Sequence, residues 1–289
     1  MGTAGGSDSS LRLRVRVKVM IRPTTSRLLP LVTSLLLASG CATSSPSRLF
    51  PSAAEWRQAA GSAIRDPDTW VPAAAAIAVA ASGQDQEISD WASRETPIFG
   101  STAKADSMSD ELKASVHLTM LATALVPNRN DDSLPRRLLV GAQNEATTIP
   151  NELLTDFLKR EIGRERPDES NRAAFPSGHA STSATYAAIA ERNLESSKLT
   201  PRTRRMTMIA ARVLVGGTAW ARVEAKKHYP TDVLAGIALG NALTVFVDRA
   251  FRAERKEPPR IAIEPTRDGV AVMFRMSLWP VIECHRPCR

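Results

Sequence analysis

Charged and small polar residues form three short clusters in the second half of the chain, and their spacing constrains the fold. The first cluster runs from Lys159 to Arg166, the second is the Pro-Ser-Gly-His that ends at His179, and the third runs from Arg222 to Asp232. Apolar residues recur at helical spacing in the segments between them. We therefore expect a mainly α fold, a helical bundle that brings the three clusters to one end.

The clusters contain the residue types that bind a phosphate group. A phosphoryl group in transfer carries negative charge on its equatorial oxygens, so its catalysis depends on positioning and on positive charge. Lys159, Arg166 and Arg222 are three such cations, and the planar fork of arginine suits phosphate oxygens. Ser177 and Gly178 precede a predicted helix, where backbone N–H groups point at an anion and glycine allows its close approach. The clusters predict a phosphate site.

Two histidines in the clusters can divide the chemical work. One imidazole can attack phosphorus while the other protonates the leaving oxygen. Asp232 follows His228 by four residues, with Pro230 between them at a position that suits the first turn of a helix. The carboxylate would then be able to fix the tautomer of the imidazole and stabilise its cation.

The three clusters together resemble the type 2 phosphatidic acid phosphatase superfamily, which also contains bacterial acid phosphatases and vanadium haloperoxidases. Its motifs are Lys-x6-Arg-Pro, Pro-Ser-Gly-His and Ser-Arg-x5-His-x3-Asp, and this chain has them in the same order and spacing. The one departure is Ala221 in place of the leading serine of the third motif. The resemblance extends over roughly residues 69–250, although the motifs carry its specificity.

The resemblance implies a role for each motif residue. His228 would be the nucleophile that becomes phosphohistidine, Asp232 would orient it, and His179 would be the general acid. Five residues would bind the phosphate: Lys159, Arg166, Ser177, Gly178 and Arg222. We expect neither a metal nor another cofactor.

Each cluster alone also has a structural explanation. The first could be a basic helix end stopped by proline, the second a serine N-cap, and the third a surface pair of histidine and aspartate. Two other functions are consistent with the same residues. A vanadium-dependent haloperoxidase would bind vanadate in the phosphate site, and a non-enzymatic envelope lipoprotein would keep the site as a relic.

The N-terminal 40 residues are typical of a bacterial export signal. Met20 is a second candidate start; basic residues and an apolar stretch at 28–37 follow it, and then Gly40 and Cys41. This order resembles a lipoprotein signal, in which Cys41 is lipidated and becomes the new N-terminus. The alternative is ordinary cleavage that leaves a free thiol. We expect a signal region at 1–40, a tether at 41–51, and a periplasmic protein held at the membrane by its lipid.

A helical phosphatase domain is predicted at 52–253. A capping-box pattern opens its first helix at Ser52. The apolar residues 71–81 are too few to span a bilayer and are interpreted as a buried core helix. A third segment carries apolar residues at helical spacing: Leu112, Val116, Met120, Leu121 and Leu125. His117 in that segment is interpreted as a satisfied structural histidine rather than a ligand.

The later helices of the domain carry the clusters. We expect a helix at 138–162 that is kinked or broken at Pro150, and another that starts at Pro201. The most apolar run, 233–247, contains Gly236 and Gly240 at GxxxG spacing. That spacing can mark transmembrane packing, and we interpret it here as close helix packing in a soluble bundle.

A β-hairpin tail is predicted at 254–289. Residues 261–264 and 270–278 alternate in polarity around Asp268-Gly269, which favours a tight turn. Cys284 and Cys288 near the end are consistent with a disulfide in an exported protein, or with part of a metal site.

Charge excludes one partner class and leaves the substrate open. The net charge is +8, but residues 1–40 hold six basic residues and one acidic residue, so about +3 remains for the rest. We expect no nucleic-acid partner. The substrate is a phosphorylated lipid, mono- or diphosphate, or a small-molecule phosphate. Lys226 and Lys227 favour an anionic headgroup at the mouth of the site, unless they form a solvated face.

Overall fold

The structure is a computed structural model that describes residues 51–129, 133–251, 260–266 and 269–275. Its contacts define a helical unit at 50–253 and a second unit that includes 254–289. The predicted signal region, lipidated Cys41, the tether, and the Cys284–Cys288 pair lie outside the described residues. They stay predictions.

The described part of the helical unit consists of eight α-helices. They are α1 (Ala53–Arg65), α2 (Pro67–Ser82), α3 (Asp85–Glu95), α4 (Thr102–Ala124), α5 (Leu134–Ile162), α6 (Gly178–Glu195), α7 (Pro201–Glu224) and α8 (Pro230–Phe251). The predicted helix starts at Ser52 and Pro201 are confirmed. Ser52 and Glu55 form the reciprocal bonds of a capping box. Thr200 caps the N-terminus of α7, where its Oγ1 accepts from the backbone N–H of Thr203.

Helices α6 and α8 pack closely at the centre of the bundle. A side chain at Gly236 would place its Cβ 2.6 Å from the carbonyl oxygen of Ser177. A Cβ at Gly240 would lie even closer to the carbonyl oxygen of Ser181. The glycines therefore let two backbones approach at a distance that no larger residue permits. The close packing predicted from the GxxxG spacing is confirmed. Helices α1 and α2 also lie against α8, and α4 lies against α6 and α7.

The apolar core of the described helices is made of small clusters, one where α3 and α8 meet α6 and α7, and two where α4 packs on α6 or α7. Val116 and Met120 of α4 are fully buried and pack against residues of α6, as their spacing predicts, whereas Leu125 at the helix end is exposed. His117 on the same helix bonds Glu145 at 2.7 Å and stacks on Tyr186. It is a satisfied structural histidine, as expected.

Helix α5 continues through Pro150, which excludes a break there, while the alternative of a kink at Pro150 stays a prediction. One prediction about an individual helix is wrong. Helix α2 is not a buried core helix, since only Thr69 and Ala76 are buried and Ile77 is 69% exposed. Its outer face is apolar because 69–81 contains no charged residue. Helix α8 is long and apolar enough to cross a membrane, and half of its most apolar window is buried inside the protein.

Strands β1 (Arg260–Thr266) and β2 (Gly269–Arg275) pair antiparallel, from Arg260 opposite Arg275 to Thr266 opposite Gly269. They belong to the second unit. The helices alone define the fold class, and its mainly α part is confirmed. The β-hairpin tail at 254–289 as part of the fold class stays a prediction.

Candidate active site

The three sequence clusters meet at one end of the helical unit. Lys159 lies in the last turn of α5, which ends at Gly163 with a φ of 56°, a conformation that favours glycine. The second cluster opens α6. The third spans the end of α7, a short loop and the start of α8. The site is therefore assembled from helix ends and from the loop between α5 and α6.

Three buried donors in the site have no hydrogen-bond partner among the described residues. They are Arg166 Nε, Ser177 Oγ and Arg222 Nε. A buried polar group without a partner costs about 1–3 kcal/mol, so an anion that accepts these hydrogens would be stabilised. The same three residues were predicted to bind phosphate from the sequence.

Burial strengthens the positive field of the site. Burial lowers the pKa of Lys159, and the neighbouring Arg166 lowers it further. Burial also lowers the pKa of Arg222, although Asp106 opposes this shift. Desolvated cations that repel one another are stabilised when an anion binds between them. The arrangement suits a phosphate dianion.

Gly178, at the N-terminus of α6, leaves space for the side chain of Lys159 because it has no Cβ. A Cβ at this position would lie 3.3 Å from Lys159 Nζ and 3.7 Å from Thr155 Cγ2. A larger residue would push the ammonium group away from the helix start. The backbone N–H groups of the first turn add a partial positive charge at the same place.

His228 is almost fully buried, and its ring orientation is set by a backbone carbonyl. Nδ1 lies 2.6 Å from the oxygen of Ala174 and 3.7 Å from Asp232 Oδ2. Because a carbonyl can only accept, Nδ1 carries the hydrogen and Nε2 keeps its lone pair. Burial, with Arg222 and Arg166, lowers the pKa of His228 to about 4 against the pull of Asp232. The imidazole is therefore neutral near pH 7.

Asp232 does not make the close contact with His228 that the sequence suggested. Its Oδ2 accepts from the backbone N–H of Tyr229 at 2.8 Å, and its Oδ1 accepts from Arg164 Nη1 at 2.7 Å. The carboxylate is completely buried. It therefore fixes the turn that carries His228, while the tautomer is fixed by Ala174.

His179 is the second residue of α6 and faces α4. Its Nε2 lies 2.8 Å from Asp110 Oδ1 and 3.3 Å from Lys113 Nζ. Burial lowers its pKa to about 4; Arg222 and Lys113 act in the same direction and Asp110 opposes them. A bound anion would raise the pKa, which is what a general acid requires.

A polar stripe on α4 forms one wall of the site and was not predicted. It consists of Asp106, Ser109, Asp110 and Lys113, which share one helix face. Arg222 Nη1 donates to Asp106 and to Ser109 Oγ, and the other two residues contact His179. The spacing i, i+3, i+4, i+7 was visible in the sequence, but nothing there linked the stripe to the clusters.

Lys227 of the third cluster is engaged within the protein. Its Nζ lies 2.7 Å from Asp168 Oδ2. Burial acts to raise the pKa of Asp168, but bonds from Lys227 and Ser170 lower it to about 2. The ion pair ties the loop before α6 to the turn before His228, so Lys227 is not a free headgroup ligand.

Comparison with known proteins agrees with the geometry. The sequence model of the PAP2 superfamily matches residues 155–256, the segment that contains all three clusters. The chain carries a PAP2 superfamily domain. Within the described residues of that domain, no three His, Cys, Asp or Glu side chains are grouped as metal ligands would be.

Two curated relatives are similar to part of this PAP2 chain. Lipid A 1-phosphatases of Rhizobium etli and Rhizobium johnstonii are 39% and 38% identical to it over 117 residues. The alignment covers 35% of this chain and 46% and 43% of the relatives, so it spans less than half of their length. Among solved structures, a transmembrane PAP2-type phosphatidylglycerolphosphate phosphatase from Bacillus subtilis is 23% identical. That match covers 65% of this chain and 95% of the other, with a TM-score of 0.48.

Proposed function

We propose that this protein is a metal-independent phosphatase that works through a phosphohistidine intermediate. The observation that carries the proposal is the group of unpartnered donors on Arg166, Ser177 and Arg222 beside a neutral imidazole with a free Nε2. This arrangement can bind a phosphate and attack it. The PAP2 match and the similarity to two lipid A 1-phosphatases support a phosphatase activity.

The first chemical step would transfer the phosphoryl group to the protein. The Nε2 lone pair of His228 forms a bond to phosphorus while the bond from phosphorus to the leaving oxygen breaks. His179 gives its proton to that oxygen, and the product alcohol departs. The cations of Lys159, Arg166 and Arg222 stabilise the charge on the equatorial oxygens, together with the α6 N-terminus.

The second step would release phosphate. Neutral His179 accepts a proton from water as the water oxygen forms a bond to phosphorus, and the phosphorus–nitrogen bond to His228 breaks. The Nδ1–H of His228 remains bonded to Ala174 in both steps. The imidazole therefore returns to the tautomer in which it began, ready for the next substrate.

We propose a phosphorylated lipid as the substrate and the bacterial membrane as the place of action. Helix α5 supports this because its amphipathic pattern is inverted. Four polar residues face the bundle and are buried: Asn144, Thr148, Asn151 and Thr155. Five large apolar residues face outward and are exposed: Leu134, Leu138, Ile149, Leu153 and Phe157. Such a helix prefers an apolar medium on its outer side.

The apolar outer face of α2 fits the same placement. Trp70 and Val71 are about half exposed and Ile77 more so. We propose that these faces contact the hydrocarbon layer of the periplasmic leaflet, with lipidated Cys41 as a second attachment. Two independent attachments give stable anchoring where one acyl chain is marginal.

Phosphate release by the purified protein tests the function. The substrate panel should contain a lipid monophosphate, a lipid diphosphate, a sugar phosphate and nitrophenyl phosphate, each assayed with EDTA. We expect the lipid phosphates to be hydrolysed fastest, and His228→Ala to be inactive on every substrate. Loss of activity on chelation with recovery on Mg²⁺ or Zn²⁺ would overturn metal independence. Bromide oxidation with added vanadate, and no phosphate release, would favour a haloperoxidase instead.

A further inference from the structure

We infer that Arg164 and Asp85, which lie outside the family motifs, are positioning residues for the nucleophile His228. This inference rests on the proposed function. Arg164 lies in the loop after α5, and Asp85 is the first residue of α3. Neither touches the phosphate donors in the described contacts. Both act on the turn that presents the imidazole.

Arg164 closes a ring of hydrogen bonds around His228. Its backbone oxygen accepts from Ala174 N at 3.0 Å, and the oxygen of Ala174 accepts from His228 Nδ1 at 2.6 Å. The turn from His228 leads to Asp232, whose Oδ1 accepts from Arg164 Nη1 at 2.7 Å. One residue therefore holds both neighbours of the imidazole, the carbonyl through its main chain and the carboxylate through its side chain.

Asp85 fixes the guanidinium from the other side. Its Oδ2 accepts from Arg164 Nη2 and from Thr231 Oγ1, each at 2.6 Å, and its Oδ1 accepts from Thr231 N at 2.9 Å. The guanidinium also lies 4.1 Å from the ring centre of Tyr229. The first turn of α8 is thus tied to the start of α3 through one arginine.

The charge of Arg164 also matters for the imidazole. The charged groups that act on His228 are Asp232 from α8, Arg222 from α7 and Arg166 from the loop after α5. Arg164 acts on the imidazole only through its ion pair with Asp232. From α5 itself, Lys159 faces Arg166 and Arg222. Arg164 neutralises the only carboxylate in this set. Without it, Asp232 would favour the imidazolium form, which has no lone pair for attack.

Substitution of Arg164 by methionine keeps an unbranched apolar stem and removes the hydrogen bonds and the charge of the guanidinium. We expect Arg164→Met to lower kcat about 10-fold to 100-fold with KM changed less than about threefold, since Arg164 does not contact the phosphate. The acidic limb of the kcat/KM profile should move to higher pH. Arg164→Lys, which keeps the charge and one bond, should recover the pH profile and part of kcat. The matched control is Arg160→Met, an exposed arginine on the last turn of α5.

A double-mutant cycle tests the role of Asp85. Asp85→Asn alone should lower kcat in the same direction, because the amide is uncharged and has one acceptor oxygen in place of two. It cannot accept both from Thr231 N, as Oδ1 does, and from Arg164 Nη2 and Thr231 Oγ1, as Oδ2 does. In the Arg164→Met background the same change should have little further effect on kcat. Exposed Glu87 of α3 provides the control Glu87→Gln. All variants are compared only where circular dichroism shows the wild-type helix content.

The outcomes separate this inference from the proposed function. If wild type releases phosphate, His228→Ala is inactive and Arg164→Met keeps wild-type kcat and pH profile, the positioning role is wrong and the phosphatase stands. Additive losses in the cycle would also overturn the link between Asp85 and Arg164. Should both Arg164 variants fail to fold, Asp85→Asn still decides, because an unchanged kcat and pH profile in that variant would remove the positioning pair. An inactive wild type would overturn the phosphatase itself.

Discussion

His228 donates its Nδ1 hydrogen to the carbonyl oxygen of Ala174 at 2.6 Å, while the carboxylate of Asp232 stays 3.7 Å from the same nitrogen. A backbone carbonyl cannot be protonated at ordinary pH and cannot rotate away as a side chain can. The tautomer needed for attack through Nε2 is therefore fixed by the fold of the loop before α6. Where a carboxylate alone fixes the tautomer, its loss costs about 10⁴-fold in kcat.

Substitution of Asp232 by asparagine should consequently be less severe than in such a triad. We expect kcat to fall about 10-fold to 100-fold, because the turn loosens while Ala174 still sets the tautomer. Rapid-quench detection of phosphohistidine should still show the intermediate in Asp232→Asn and none in His228→Ala. A variant as inactive as His228→Ala would show that the carboxylate acts on the imidazole directly.

The two histidines should differ in their dependence on the leaving group. If His228 attacks phosphorus, as we propose, His228→Ala should abolish hydrolysis of alkyl and nitrophenyl phosphates alike. In the same proposal His179 protonates the leaving oxygen, and an alkoxide needs this proton whereas a nitrophenolate hardly does. His179→Ala should therefore lose about 10²-fold to 10⁴-fold on alkyl phosphates and much less on nitrophenyl phosphate. Labelled phosphate on His179 would reverse the assignment.

The stability of the free protein should fall as the pH drops from about 6.5 to about 4. Burial lowers the pKa of both His179 and His228 to about 4 in the folded state, against 6.5 for a histidine exposed to water. Between these values the unfolded chain binds protons that the folded chain does not, so the free energy of unfolding decreases with falling pH. Urea denaturation at pH 7 and pH 5 measures this.

His228→Gln should flatten that pH dependence. Inorganic phosphate should bind the folded protein and raise the urea midpoint at either pH in wild type. An equal slope in wild type and His228→Gln would contradict the lowered pKa.

The sequence predicted the polar residues of the site better than their connections. Lys159, Arg166, Arg222 and the two histidines were identifiable because the motif spacing is local to each cluster. Asp85, Asp110 and Ala174 were not, since each reaches the site from an element whose position depends on tertiary packing. A backbone carbonyl has no sequence signal at all, and so the orientation of His228 was attributed to the aspartate that did have one.

Burial was predicted least well for the helices whose pattern is inverted or uniform. The apolar run in α2 was interpreted as core because apolar helices in globular proteins are usually buried. The polar face of α5, which includes Asn144, Thr148 and Asn151, is buried against the bundle, contrary to the rule that apolar residues face inward. Periodicity reveals that a helix has two faces but not which of them faces the protein.

Membrane attachment should depend on both Cys41 and the outer face of α5. Cys41→Ser alone should leave much of the protein in the membrane fraction, because the exposed Leu153 and Phe157 still contact lipid. Adding Leu153→Gln and Phe157→Gln should move it to the soluble fraction, with nitrophenyl phosphate hydrolysis retained. Gln143→Ala, an exposed polar position on α5, is the control. Complete release by Cys41→Ser alone would show that α5 does not contact the bilayer.

Glycine substitutions should show how strongly the site depends on the contact between α6 and α8. In Gly236→Ala the new methyl would lie 2.6 Å from the oxygen of Ser177, a predicted phosphate ligand, so the helices must separate. We expect a loss of about 1–3 kcal/mol in the free energy of unfolding, with weaker phosphate binding. Gly216→Ala is the matched control: it is also helical and a side chain there meets nothing within 4 Å, so it should gain about 0.5–1 kcal/mol. Urea denaturation and inorganic phosphate titration measure the two effects. Equal stability of the two variants would mean that α6 and α8 can separate without cost, and that their close approach does not position Ser177.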